Sequence, residues 1–179
     1  PEVAGVVVVD RAGAGRAVPA GLQGGAAGEV TRALGTLPET ARGQAEVIFT
    51  AHSLPQRIVQ SGDPYPDQLA KTAEAVAREG GLGSWRVAWQ SAARTDDAWL
   101  GPDVGDLIPQ LAAEGATGVV VCPCGFVADH LEVLYDVDIE ARRAAETVGL
   151  AFARTAMPND RAEFLDVAAG IIDRAFQTT

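Results

Sequence analysis

A chain of 179 residues, 47% of them apolar, is long enough to bury a core without disulfide or metal staples. Its net charge of −10 argues against a nucleic-acid surface, which needs clustered Lys and Arg to neutralise phosphates. A small molecule or a metal ion is the expected partner.

The longest apolar stretches, VAGVVVV and ATGVVVCPCGFVA, fall short of the ~20 residues of a membrane helix, so no span is expected. There is no signal-peptide pattern, and two closely spaced cysteines fit a reducing cytoplasm, which is the expected location. A chain that opens at Pro1 rather than at methionine is expected to be processed or truncated.

In chain order, VAGVVVVD reads as a first strand. Residues 10–28, rich in Gly and Ala and without an apolar period, read as a loop or linker. GAGRAVPAG within them fits neither the dinucleotide fingerprint nor the Walker A spacing, so no nucleotide is expected. Residues 1–26 are set apart on this basis from a globular lobe over 27–179.

EVIFTAHS, RVAWQS, GVVVCPCGF and GLAFARTAM then read as strands, apolar almost throughout as strands buried on both faces are. Between them, PDQLAKTAEAVAREGG and DVGDLIPQLAAEG read as helices, with Pro109 bending or restarting the second. FVADHLEVLYDVDIEARRAAETVG gives a further helix. DRAEFLDVAAGIIDRAF closes the chain with a capping box from Asp160 to Glu163. Strand and helix in alternation predict an α/β fold, a parallel sheet flanked by helices.

Ligands of open parallel sheets bind beyond the carboxyl ends of the strands. His52 follows EVIFT, Gln90 and Ser91 follow RVAW, and residues 125–130 follow GVVVCPC, so one edge collects them all. From there Glu132, Asp136 and Glu140 recur at i, i+4, i+8. On a regular helix they drift across roughly 80° while advancing ~12 Å, and on a wider π-helix they line up more closely.

Taken alone, such a run reads first as a solvated acidic face. Its position at the ligand edge and its interleaving with Leu134, Tyr135 and Ile139 support a carboxylate ladder that favours a bound cation. His52 suits a base or a metal ligand, since an imidazole is neutral and basic at pH 7. His130 reads either as a local packing residue or as a second catalytic group. An imidazole facing carboxylates suits Fe²⁺ or another borderline divalent metal. Cys122 and Cys124 are too close for an ordinary bridge and too few for a closed zinc or iron–sulfur site, and read as strand-end packing, with thiolate metal contacts as the alternative.

EVIFTAHSLP, SGDPYPDQL, WQSAARTDDAWLGPDV, CPCGFVADHLEVLYDVDIE and AMPNDRAEFLD together resemble the C-terminal half of ferrochelatases, in particular the coproporphyrin-using type of Gram-positive bacteria. The resemblance implies one chelatase-type Rossmann-like lobe over 27–179. It also implies insertion of ferrous iron, as substrate, into coproporphyrin III or protoporphyrin IX in heme biosynthesis.

By the same resemblance His52 and Glu132 face each other as the catalytic, metal-binding and proton-accepting pair, and Asp136 and Glu140 extend the metal site along the family's π-helix. Ser53, Gln90, Ser91, Trp99, Asp129, His130 and Tyr135 match cleft or supporting positions. The family's N-terminal lobe has no counterpart in residues 1–26, so a separate lobe or a second copy is expected to complete the porphyrin cleft. With only two thiols, no [2Fe–2S] cluster is expected. The alternatives are a lobe that binds metal or tetrapyrrole without turnover and a chelatase for another divalent metal.

Overall fold

The computed structural model describes residues 20–177. The expected strand VAGVVVVD and the start of the linker lie outside them. The described elements are α1 (Ala20–Thr36), α2 (Glu39–Arg42), β1 (Ala45–His52), α3 (Arg57–Gln60), α4 (Tyr65–Glu79), β2 (Trp85–Gln90), α5 (Val104–Ala113), β3 (Gly118–Cys122), a π-helix (Val133–Ala141), α6 (Arg142–Thr147), β4 (Ala151–Arg154) and α7 (Ala162–Gln177). The strands form one sheet in the order β2-β1-β3-β4, parallel throughout. Among the described residues no helix is long and apolar enough to cross a membrane.

The strands are apolar on both sides because both faces are covered, and their alternation sorts the core into two layers. Val47, Phe49, Ala51, Trp89, Val120 and Cys122 pack beneath α1 and α4. Ile48, Ala88, Val119 and Val121 pack against α5, the π-helix and α6.

Three expectations need correction. Residues 20–28 are helical: Ala and Gly conceal the period, but Ala27, Val30 and Ala33 bury one stripe of α1 against the sheet, and that burial decides the conformation. Pro109 neither ends nor restarts α5, which runs on to Ala113, so its missing N–H leaves one carbonyl of the preceding turn without its usual donor. Arg161, not Asp160, immediately precedes α7, so the helix opens one residue later than the capping box requires.

After β1 the chain moves to β2 on one side, then crosses to β3 and β4 on the other. The carboxyl ends of β1 and β3 therefore flank the switch point, where crevices form in open α/β sheets. Gly125 closes this place tightly, donating its N–H to the Thr50 carbonyl at 3.0 Å. A Cβ there would lie 2.3 Å from that of Ala51.

Candidate active site

His52 is the last residue of β1, in register with Gln90 of β2. Its Nδ1 lies 2.5 Å from the Ser53 carbonyl oxygen, an acceptor only, so Nδ1–H donates. With Nδ1 committed to Ser53, the other ring nitrogen, Nε2, faces Glu132 Oε2 at 3.6 Å. The His52 side chain is 35% exposed and that of Glu132 49%, so the pair is open to an incoming molecule.

The surroundings of His52 are held from several sides. The Tyr65 hydroxyl donates to the His52 carbonyl at 3.0 Å. Burial, reinforced by Cys124, pushes the Tyr65 phenol up to about 12 although its hydrogen bond to His52 opposes the shift, so it stays a donor at neutral pH. Ser53 donates its N–H to the Gln90 carbonyl at 2.7 Å and its hydroxyl to the Leu100 carbonyl at 2.8 Å. Thr50 donates to Gln90 Oε1 at 2.8 Å, while the buried Gln90 Nε2 has no hydrogen-bond partner among the described residues.

Trp99 sits at the rim on a stretch bound to the loop after β1, since Leu100 donates to Leu54 and Gln56 to Ala98. Its indole N–H donates to the Thr95 hydroxyl.

The π-helix predicted as an alternative to a regular helix is present, and Glu132 stands immediately before it. It buries Val133, Val137 and Ala141, while Leu134, Tyr135 and Ile139 are exposed among the carboxylates. Asp136 accepts from the hydroxyl of Ser91, whose φ of 61° is uncommon for a residue with a side chain.

Asp136, Glu140, Tyr135 and Ser91 line a cavity of about 270 Å³ together with Asp103. Burial pushes the Asp103 carboxyl above the usual range; the Gly105 N–H opposes this, and Asp106, Asp136 and Glu140 add repulsion. The four acidic and imidazole groups expected to hold metal thus separate into an open pair, His52 with Glu132, and a neighbouring acidic pocket. Among the described residues no three or more His, Cys, Asp or Glu converge into a ready-made cage.

Asp129 and His130 lie in supporting surroundings. Asp129 pairs with Arg154 at 3.0 Å and exchanges hydrogen bonds with Asn159. Arg154 also holds Asp138 at 2.8 Å, tying the π-helix to the end of β4. The His130 ring stacks on Phe126 at 4.9 Å. Sequence reasoning passed over Asp103, Arg154 and Tyr65. A lone arginine closing the apolar run AFAR and an aspartate opening DVGD were the available signals.

The ferrochelatase family model matches residues 25–176. The coproporphyrin III ferrochelatase of Geobacillus kaustophilus (strain HTA426) is 48% identical over 145 residues, which are 80% of this chain and 46% of that protein. The ferrochelatase of Herpetosiphon aurantiacus is 44% identical over 82% of this chain and 48% of its own length, and the coproporphyrin III ferrochelatase of Bacillus subtilis (strain 168) 46% over 76% and 44%.

The chain thus spans about half the length of the curated relatives it matches. Among solved structures, a cobalamin (vitamin B12) biosynthesis CbiX protein from Marinobacter aquaeolei VT8 shares the fold with a TM-score of 0.54 at 14% identity, covering 75% of this chain and 99% of its own. With the family model and relatives of this identity running through nearly all the described residues, the chain belongs to the ferrochelatase family.

Proposed function

We propose that this chain supplies the metal-inserting half of a ferrochelatase, taking ferrous iron and a porphyrin, coproporphyrin III or protoporphyrin IX, as substrates in heme biosynthesis. The observation that carries this reading is the imidazole of His52 facing Glu132 across 3.6 Å at the switch point of the sheet. Support for the substrate class comes from the relatives named for coproporphyrin III.

Insertion of a divalent metal displaces two pyrrole protons, so the site needs a base and a counter-charge. With Nδ1–H committed to Ser53, His52 Nε2 is the atom that accepts a proton or briefly holds the incoming iron. Glu132 stabilises the imidazolium that proton transfer creates and offers a second oxygen ligand to the metal. Asp136 and Glu140 give weak oxygen ligands along which a hydrated cation passes to the pair.

Ser53 and Gln90 fix the end of β1, and Ser91 orients Asp136. Trp99 and Tyr135 offer aromatic surface to the macrocycle. Asp129 and His130 hold the approach to the π-helix. Residues 27–179 form the lobe, and a separate N-terminal lobe or a second copy provides the opposite wall. The free thiols of Cys122 and Cys124 support a cytoplasmic location.

The test is a spectrophotometric assay of Fe²⁺ insertion into coproporphyrin III, with this chain alone and co-expressed with the unmatched half of the Geobacillus kaustophilus protein. Insertion by the co-expressed form, lowered at least about a hundredfold by His52→Ala with porphyrin binding retained, is the expected result. An unchanged rate in that variant would overturn the assignment. Porphyrin or metal binding without insertion in every form would favour a lobe that binds without turnover.

A further inference from the structure

A second cavity, of about 250 Å³, lies across the sheet from His52. Cys122 belongs to the core layer beneath α1, whereas His52 shares its face of β1 with Thr50 and Ile48, two and four residues back. The cavity is lined by Cys122, Cys124, Thr155, Met157 and Phe126, with Glu29, Arg32 and Arg161 around its mouth.

The turn Cys122-Pro123-Cys124 is closed by a hydrogen bond from the Cys124 N–H to the Cys122 carbonyl at 2.8 Å. It leaves a single residue between the two cysteines, which line the same cavity together with Thr155. Cys122, Cys124 and Met157 are 3%, 5% and 3% exposed.

We propose that Cys122 and Cys124, with the thioether of Met157, form a binding site for a soft monovalent metal ion, copper(I) in particular. The donor set decides the metal. Thiolate and thioether ligands select copper(I), whereas zinc takes four ligands of nitrogen, oxygen or thiolate type. The nearest carboxylate, Glu29, is committed to Arg32 and Arg161.

The lining carries two guanidinium groups, Arg32 and Arg161, and two carboxylates, Glu29 and Glu163. The Cys124 thiol donates to the Thr50 carbonyl at 3.9 Å. Ions reach the sulfurs past Arg32 and Arg161, whose side chains are 68% and 43% exposed.

Anaerobic titration of the full chain with copper(I), against bicinchoninate as competing chelator, tests the site. One ion bound per chain is expected, with affinity lowered at least about a hundredfold by C122S or C124S and about tenfold by M157L. H52A is expected to leave the affinity unchanged, which separates this site from the His52–Glu132 pair. X-ray absorption at the copper edge of the unsubstituted chain is expected to show sulfur neighbours only and does not depend on any variant folding. Nitrogen or oxygen neighbours, failure to compete with bicinchoninate, or undiminished affinity in the C122S/C124S double variant would overturn the proposal.

Discussion

The two faces of the sheet begin alike and end differently. Beneath α1 and α4, apolar side chains continue to the carboxyl edge through Phe49, Ala51, Trp89 and Cys122. On the other face the apolar run from Ile48 and Ala88 gives way to Thr50, His52 and Gln90, all at the edge where the π-helix begins. Identical backbone geometry serves both, so the difference lies in side chains alone: one face stays apolar or sulfur-bearing to its end, and the other gives up its last layer to polar and titratable groups. The orphaned Gln90 Nε2 marks that concession, since a buried donor without a partner costs free energy.

This contrast can be broken most sharply on the packed side. Phe49 is fully buried and meets Trp85 edge-to-face at 5.9 Å. Phe49→Ala is expected to lose about 3–5 kcal/mol in equilibrium urea unfolding. On the polar side, Gln90→Met is expected to change stability by less than about 1 kcal/mol, because removing the orphaned amide offsets the partner lost by Thr50.

Gly125 is where the faces are joined to the loop before the π-helix. Gly125→Ala drives a methyl into Ala51, at 2.7 Å from its Cα, and backbone must yield. A loss of about 1–3 kcal/mol is expected, read by thermal unfolding, with the His52–Glu132 spacing disturbed alongside.

The smallest effect is electrostatic. Asp103 has its folded pKa raised, chiefly by burial, so its charged form weakens the fold: its favourable contribution is complete below the unfolded carboxylate pKa and is lost as pH rises through the folded value. Asp103→Asn, which keeps a good N-cap for α5, is expected to raise stability slightly at pH 7, measured as a thermal midpoint. That gain should vanish as pH falls below the ordinary carboxylate range.

Much of this was legible in the chain because strands buried on both faces are nearly unbroken apolar runs, and four of them appear in order. His52 could be placed at the ligand edge for the same reason: it ends such a run. The helix over residues 20–28 could not, because Ala and Gly carry little periodic signal until a sheet is there to bury one side. Nor could the roles of Arg154 and Asp103 be read, since each depends on carboxylates distant in sequence that only folding brings within reach. The spacing of Glu132, Asp136 and Glu140 was visible, but whether the helix was regular or wide was not; spacing alone fits both.

The central claim is that His52 and Glu132 act as one unit. A double-mutant cycle of metal insertion, comparing His52→Ala, Glu132→Gln and the combined variant in the form co-expressed with the complementary half, tests it most directly. Groups that share one step are strongly non-additive, so the double variant is expected to be no slower than the worse single variant by more than about threefold. Losses that multiply would contradict the account and make His52 and Glu132 independent neighbours.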